Sequence, residues 1–105
     1  MIVRDVLLEQ PIPGRAVHRV EIRRITLDPG DTAPHRHNTP VFGSVERGTI
    51  LFQVSGGPEV LLGPGDTFYE PADVLIDHFD ATGGPATFLG YFLLDADQEV
   101  ELAFP

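Results

Sequence analysis

Glycine and proline break this chain into short pieces. It holds 11 Gly and 10 Pro in 105 residues, spread along the sequence rather than gathered in one stretch. Between them lie short runs of Val, Ile, Leu, Thr and Phe, which suit a pleated, half-buried surface. Regular breakers between such runs point to many short strands. We read strands near Ile2–Leu8, Ala16–Leu27, Val41–Glu46, Thr49–Ser55, Glu59–Leu62, Thr67–Tyr69, Val74–Phe79, Ala86–Leu94 and Glu99–Phe104. Ser55-Gly56-Gly57-Pro58 reads as a tight hairpin turn, its glycines supplying positive φ. Many strands without helical crossovers imply antiparallel pairing. Strands this short must close or stack to protect their edges, so the expected class is all-β, a barrel or sandwich. The length is that of one domain, residues 1–105, with one core.

One turn occurs twice. Leu27-Asp28-Pro29-Gly30-Asp31-Thr32 matches Leu62-Gly63-Pro64-Gly65-Asp66-Thr67. Pro suits the second position of a type II turn and Gly the third. Two copies of one turn suggest two equivalent halves of a barrel.

Sixteen acidic residues against seven Arg and no Lys give a formal net charge of −9. Such a chain lacks the clustered cations that nucleic acid or an anionic membrane surface requires, so neither partner is expected. There is no cysteine, which excludes disulfides, Cys-ligated zinc and Cys nucleophiles. Met1-Ile2-Val3-Arg4-Asp5 carries charges where a signal peptide needs its apolar stretch. No apolar run approaches the roughly 20 residues needed to span a bilayer. A soluble, cytoplasmic chain is the expectation.

Four histidines occur, His18, His35, His37 and His78. In an extended segment, residues two apart face the same way, so His35 and His37 can converge while Arg36 points away. Neutral imidazole ligates zinc, copper, iron and nickel, which makes H-x-H on a strand a natural half of a metal site. The same pair also suits polar groups anchoring a ligand. Asp73, Asp77 and Asp80 crowd His78 in sequence. A nearby carboxylate favours the imidazolium and can orient it, so His78 with Asp80 forms a candidate acid–base pair. His18 shares the parity of Val20 and Ile22 and reads as an ordinary polar group or an inward one. Phe42, Phe52, Phe68, Tyr69, Phe88, Tyr91 and Phe92 supply aromatic area for a core and an apolar pocket.

From Ile25 to Leu94 the chain resembles the cupin family. The first motif of that family runs Gly, a spacer, His-x-His, a short spacer, Glu, six residues, Gly. Here it reads Gly30-Asp31-Thr32-Ala33-Pro34-His35-Arg36-His37-Asn38-Thr39-Pro40-Val41, ending on Val45-Glu46-Arg47-Gly48. The second runs Gly, five residues, Pro-x-Gly, two residues, His, three residues, Asn. Here it reads Gly65-Asp66-Thr67-Phe68-Tyr69-Glu70-Pro71-Ala72-Asp73-Val74-Leu75-Ile76, then Asp77-His78-Phe79-Asp80. The resemblance implies a double-stranded β-helix, a jelly-roll barrel. It also implies a metal-dependent oxygenase, isomerase or cyclase, or a barrel that only binds a small ligand.

The ligands implied by the resemblance carry over only to His35 and His37. The metal-binding Glu falls on Val41 and the third His on Ile76. The Gly of Pro-x-Gly is Asp73, and the Asn is Asp80. His78 and Asp80 share the parity of Ile76, so either can complete the set; Glu70 and Gln53 are weaker candidates. The expected metal ligands are therefore His35, His37 and His78, with His78 and Asp80 as catalytic groups. The expected cofactor is a divalent transition metal (Fe, Mn, Zn, Cu or Ni), or none. Three readings stay open: a metal enzyme on a small organic substrate, a metal-free ligand-binding or sensing barrel, and a metal-free enzyme with a His general base. A homodimer is expected, with the N-terminal strand as the contact.

Overall fold

The structure, a computed structural model, describes residues 1–105. All seven elements are strands: β1 Arg19–Leu27, β2 Arg36–His37, β3 Val41–Val54, β4 Val60–Leu62, β5 Thr67–Glu70, β6 Ile76–Leu94 and β7 Leu102–Ala103. Every pairing is antiparallel. The class is all-β, a jelly-roll barrel of the double-stranded β-helix kind.

Two long strands organise it. β3 and β6 pair along nearly their whole length, from Val41↔Phe92 to Val54↔Ile76. At one end the order across the sheet is β1-β6-β3-β5. At the other, β4 pairs with β3 from Ile50↔Leu62 to Phe52↔Val60. His35 bridges Ile76 there, with backbone hydrogen bonds of 3.1 and 2.8 Å. One bent ribbon thus serves two layers, with the apolar side chains of both enclosed between them.

The sequence reading places a break near Arg47–Gly48 and another near Asp80–Pro85, giving four strands where the structure has two. The glycines there bend the strands instead of ending them. Gly48 and Gly83 have φ of 75° and 73°. Between Arg47↔Thr87 and Thr49↔Thr82 the chain takes five steps along β6 against two along β3. Such a bulge turns a strand without breaking its ladder. A Cβ on Gly48 would collide with the Pro85 carbonyl, so the close approach also requires glycine.

Two other expectations are corrected. No strand forms over Ile2–Leu8, whose residues are exposed and pair with nothing in their own sheet. Glu99–Phe104 forms only the two-residue β7. The repeated turn behaves as the sequence suggests. Asp31 N donates to Asp28 O (3.1 Å) and Asp66 N to Gly63 O (3.0 Å), with Gly30 and Gly65 at φ 89° and 88°. In each copy the carboxylate of the fourth turn residue, Asp31 or Asp66, accepts from the N–H of the first, Asp28 or Gly63, at 2.8 Å. These are two type II turns with the same side-chain clasp.

The core is a cluster of 11 buried residues, among them Val41, Val45, Ile50, Phe68, Ile76, Phe79, Phe88 and Phe92. Phe68, Phe79 and Phe88 meet edge to face, with centroids 4.8–5.8 Å apart. Phe42, Tyr69 and Tyr91, expected among the core aromatics, take the opposite parity to Val41, Phe68 and Phe92 and face outward.

Candidate metal centre

His35 and His37 converge as the H-x-H spacing requires. His35 is buried at 6% exposure, and the two rings meet edge to face at 4.9 Å. The third member of the cluster is Glu70, the last residue of β5, at 2% exposure. His37 Nε2 lies 3.0 Å and His35 Nε2 3.6 Å from Glu70 Oε2. One donor atom from each residue lies within 4.8 Å of the other two.

The geometry suits a shared ion. Bonds of roughly 2.0–2.2 Å meeting at tetrahedral or octahedral angles hold neighbouring donors about 3.0–3.5 Å apart. His35 Nδ1 donates to the Ala33 carbonyl at 2.9 Å. A carbonyl only accepts, so Nδ1 carries the proton and Nε2 presents its lone pair toward Glu70. The 3.0 Å approach of His37 to Glu70 lacks hydrogen-bond alignment, which leaves Glu70 Oε2 buried without a hydrogen bond. His37 Nδ1 and Thr39 Oγ1 are orphaned in the same way. A buried carboxylate oxygen with no donor costs about 1–3 kcal/mol or more, and a cation between the three residues removes that cost at Glu70. Two His and one carboxylate also form the donor set of catalytic zinc and of non-haem iron sites. The residues present therefore fit a divalent transition metal.

Without a metal the electrostatics favour a charged pair. Burial pulls the His35 imidazolium down, but the Glu70 carboxylate beside it, the Ala33 carbonyl and the Asp80 charge outweigh burial and raise it above 6.5. Burial pushes the Glu70 carboxyl up, but the imidazoles of His35 and His37 outweigh it and hold it below 4.5. The site prefers Glu70 ionised.

Glu70 stands where the register puts it. Val41 and Glu70 are directly opposed across β3 and β5. Directly opposed residues share a face with their Cβ atoms about 4.5–5.5 Å apart. The carboxylate that the motif count assigns to position 41 is supplied by the facing residue on the next strand. A signal for this exists in Thr67-Phe68-Tyr69-Glu70, whose alternation puts Phe68 and Glu70 inward together. What the sequence does not show is that residue 70 faces residue 41.

The structure does not bring His78 to His35 and His37. Val54 pairs with Ile76 and Gln53 with His78, so Asp77 is an extra residue in β6. This bulge inverts the facing beyond it: Phe79 turns into the core and His78 turns out, its side chain 39% exposed. Its Nδ1 lies 2.7 Å from Asp80 Oδ2, so the expected His78–Asp80 pair forms, but on the outer side. Glu59 Oε1 lies 3.9 Å from Nε2. Asp80 touches the site only through Thr32, whose Oγ1 reaches Asp80 Oδ1 and the Phe79 carbonyl, both at 2.8 Å. Gln53 turns outward opposite His78 and donates to Gly57 O. Ile76 is fully buried and supplies no donor. His18 is exposed and pairs with Asp95 at 2.7 Å.

The three donors line a cavity of about 200 Å³. Its wall is Ile25, Leu27, Val41, Phe68, Phe79, Phe88 and Phe92, with Asp31 and Thr32 as further polar groups. Leu102 and Phe104 close one side of the mouth, although both are largely exposed. Asn38 pins that segment: its Nδ2 donates to Glu99 O (2.7 Å), its Oδ1 accepts from Glu101 N (2.9 Å), and its N–H donates to Glu101 O (3.3 Å).

The sequence model of the Cupin domain family matches residues 23–91, which hold the whole cluster. The chain belongs to the cupin family. No curated protein matches this cupin. Among solved structures it is similar to a cupin-like protein from Thermotoga maritima, with a TM-score of 0.65 and 24% identity over 78% of this chain and 62% of that one. It is also similar to an oxalate oxidase in complex with glycolate (TM-score 0.67, 22% identity, 81% and 45% covered). A polyketide cyclase from Streptomyces resistomycificus is a third (TM-score 0.64, 20% identity, 83% and 62% covered). The cupin described here spans less than two thirds of the length of each. The likeness establishes the fold. No helix is long and apolar enough to cross a membrane.

Proposed function

We propose that this cupin is a metal-dependent enzyme acting on a small organic molecule, with His35, His37 and Glu70 as the metal ligands. The observation that carries the reading is the convergence of three donors, from buried His35 and Glu70 and half-buried His37, on the wall of an apolar cavity, with the Glu70 oxygen orphaned. A divalent transition metal bound there would supply Lewis-acid polarisation or activation of oxygen.

The residues of the chain define the rest. The Ala33 carbonyl fixes the His35 tautomer and so the direction of its lone pair. Phe68, Phe79, Phe88 and Phe92 exclude water and accept the apolar body of a substrate, whose polar end then faces the three donors. The cavity is below the roughly 300–1,000 Å³ of ordinary ligand pockets, which selects a small substrate. The similar structures named above include an oxidase with glycolate and a cyclase, and so support small-molecule chemistry in this barrel without choosing a reaction.

The 3.0 Å His37–Glu70 approach also favours a second reading, in which the pair acts without metal as an acid–base couple. Metal analysis of tag-free protein separates the two. About one equivalent of transition metal, lost in His37→Ala and kept in His78→Gln, supports the first. Less than about a tenth of an equivalent, unrestored by iron, manganese, zinc, copper or nickel, rejects it.

A further inference from the structure

Asp31 and Thr32 line the same cavity as the three metal donors, and the rest of its wall is apolar. Thr32 Oγ1 lies 2.8 Å from Asp80 Oδ1 and 2.8 Å from the Phe79 carbonyl oxygen. A hydroxyl has one hydrogen to donate, whereas a carboxylate and a carbonyl only accept. The Thr32 hydrogen is therefore committed to the wall behind it, and only lone pairs are left for the cavity. The outer His78–Asp80 pair holds this arrangement. His78 Nδ1 lies 2.7 Å from Asp80 Oδ2, so both Asp80 oxygens are engaged and the carboxylate is kept turned toward Thr32. Asp31 adds a second acceptor, a carboxylate whose Oδ2 takes the Asp28 N–H at 2.8 Å. Apart from the metal donors, every polar side chain on the wall accepts and none donates.

Charge narrows the choice further. Glu70, Asp31 and Asp80 put three carboxylates in or just behind the wall. No Lys or Arg lines the cavity. Arg23 sits over the Phe92 ring, 5.3 Å from its centroid, but it is paired with Glu21 and does not reach the cavity. A carboxylate or phosphate would find no side chain of the kind that usually receives it. The volume of about 200 Å³ sets the size. An apolar cavity of about 150 Å³ lined by Leu, Ile and Phe holds benzene.

We propose that the cavity selects an uncharged alcohol with an apolar body of about one ring, its hydroxyl donating to Thr32 Oγ1. This specificity rests on the cavity being the substrate site proposed above. The His78–Asp80 pair is then a positioning pair, which acts on the substrate only by fixing the Thr32 hydroxyl.

Ligand-observed NMR titrations with benzyl alcohol, its isomer anisole, and benzoate test this. Benzyl alcohol donates a hydrogen bond and anisole only accepts. The variant is Thr32→Val, which keeps the shape and removes the hydroxyl. The Kd of benzyl alcohol relative to that of anisole should rise about three- to tenfold in Thr32→Val, the loss of one ordinary hydrogen bond, with unchanged far-UV circular dichroism. In chelator-treated wild type, where no ion draws a carboxylate in, benzoate should bind at least about tenfold more weakly than benzyl alcohol. An unchanged ratio in a folded Thr32→Val would overturn the proposal. So would benzoate binding as tightly as benzyl alcohol, or a Kd above about 20 mM for every probe. The benzoate comparison needs no variant and decides even if Thr32→Val does not fold. Metal content is measured separately, so a protein without metal would refute the metal reading and leave these ratios to be read.

Discussion

Residue 70 places a carboxylate in this cupin where the family motif assigns one to residue 41. If cross-strand opposition is the reason, the carboxylate can be returned. Glu70→Val should lower bound metal from about one equivalent to less than a tenth. Val41→Glu combined with Glu70→Val should restore more than half of it, because the two Cβ atoms share one face. Elemental analysis of the purified variants measures both. The same residues set the pH response of the metal-free protein. His35 titrates above 6.5 in the folded chain, so its contribution to stability is full below that value and is lost as pH rises through the raised pKa. Glu70 titrates below 4.5, so its contribution is full above that value and is lost as pH falls through the lowered pKa. Chelator-treated protein should therefore be most stable between about pH 4.5 and 6.5, and Glu70→Gln should flatten the profile; thermal melts across pH show either outcome. Metal should move the optimum upward, since the imidazoles must be neutral to ligate.

At the scale of elements, bulges and straps decide what reaches the cavity. The extra residue Asp77 sends His78 outward and Phe79 inward, so a core side chain takes the inward position. On the opposite side, β7 is held to β2 by two residue pairs and by Asn38. Leu102 and Phe104 stand at the mouth on this thinly tethered segment. Asn38→Ala removes both side-chain hydrogen bonds to the strap, a cost of about 1–3 kcal/mol. Hydrogen exchange at residues 99–104 should rise at least about fivefold, while amides of β3 and β6 keep their protection; uniform loss of protection would show the strap to be part of the main cooperative unit.

For the whole molecule, an apolar core of 11 residues packs without any of the three candidate ligands, although Val41, Phe68, Phe79, Phe88 and Phe92 of that core also line their cavity. The apo chain should fold, and metal should add linkage stabilisation: about 2.7 kcal/mol at a hundredfold excess over Kd. For a chain of this size that is roughly 10–20 °C in Tm. Calorimetry with and without a chelator reads the shift, and an unchanged Tm would place the ion elsewhere or nowhere. The long β3–β6 ribbon explains why the strand count read from the sequence is too high: Gly48 and Gly83 look like stops in a linear pattern and act as bends once a partner strand is beside them. The N-terminal segment differs in the opposite sense. Its strand-like composition is real, but no edge of its own sheet takes it up.

The sequence by itself determined what local chemistry can specify. The breaker pattern and β-rich runs gave an all-β chain of antiparallel strands, the two Pro-Gly-Asp segments gave two matching turns, and the H-x-H gave two side chains on one side of an extended segment. Each of these depends on residues close together in the chain. The place of Glu70 beside His35 and His37 and the outward turn of His78 depend on register, which is fixed only when distant strands pair. One extra residue in β6 reverses the facing of those beyond it, and one cross-strand opposition makes Glu70 the neighbour of His37. Alternation along a strand says which residues share a face. Only the folded ribbon says which strand lies opposite, and that decided where the carboxylate of the candidate metal centre comes from.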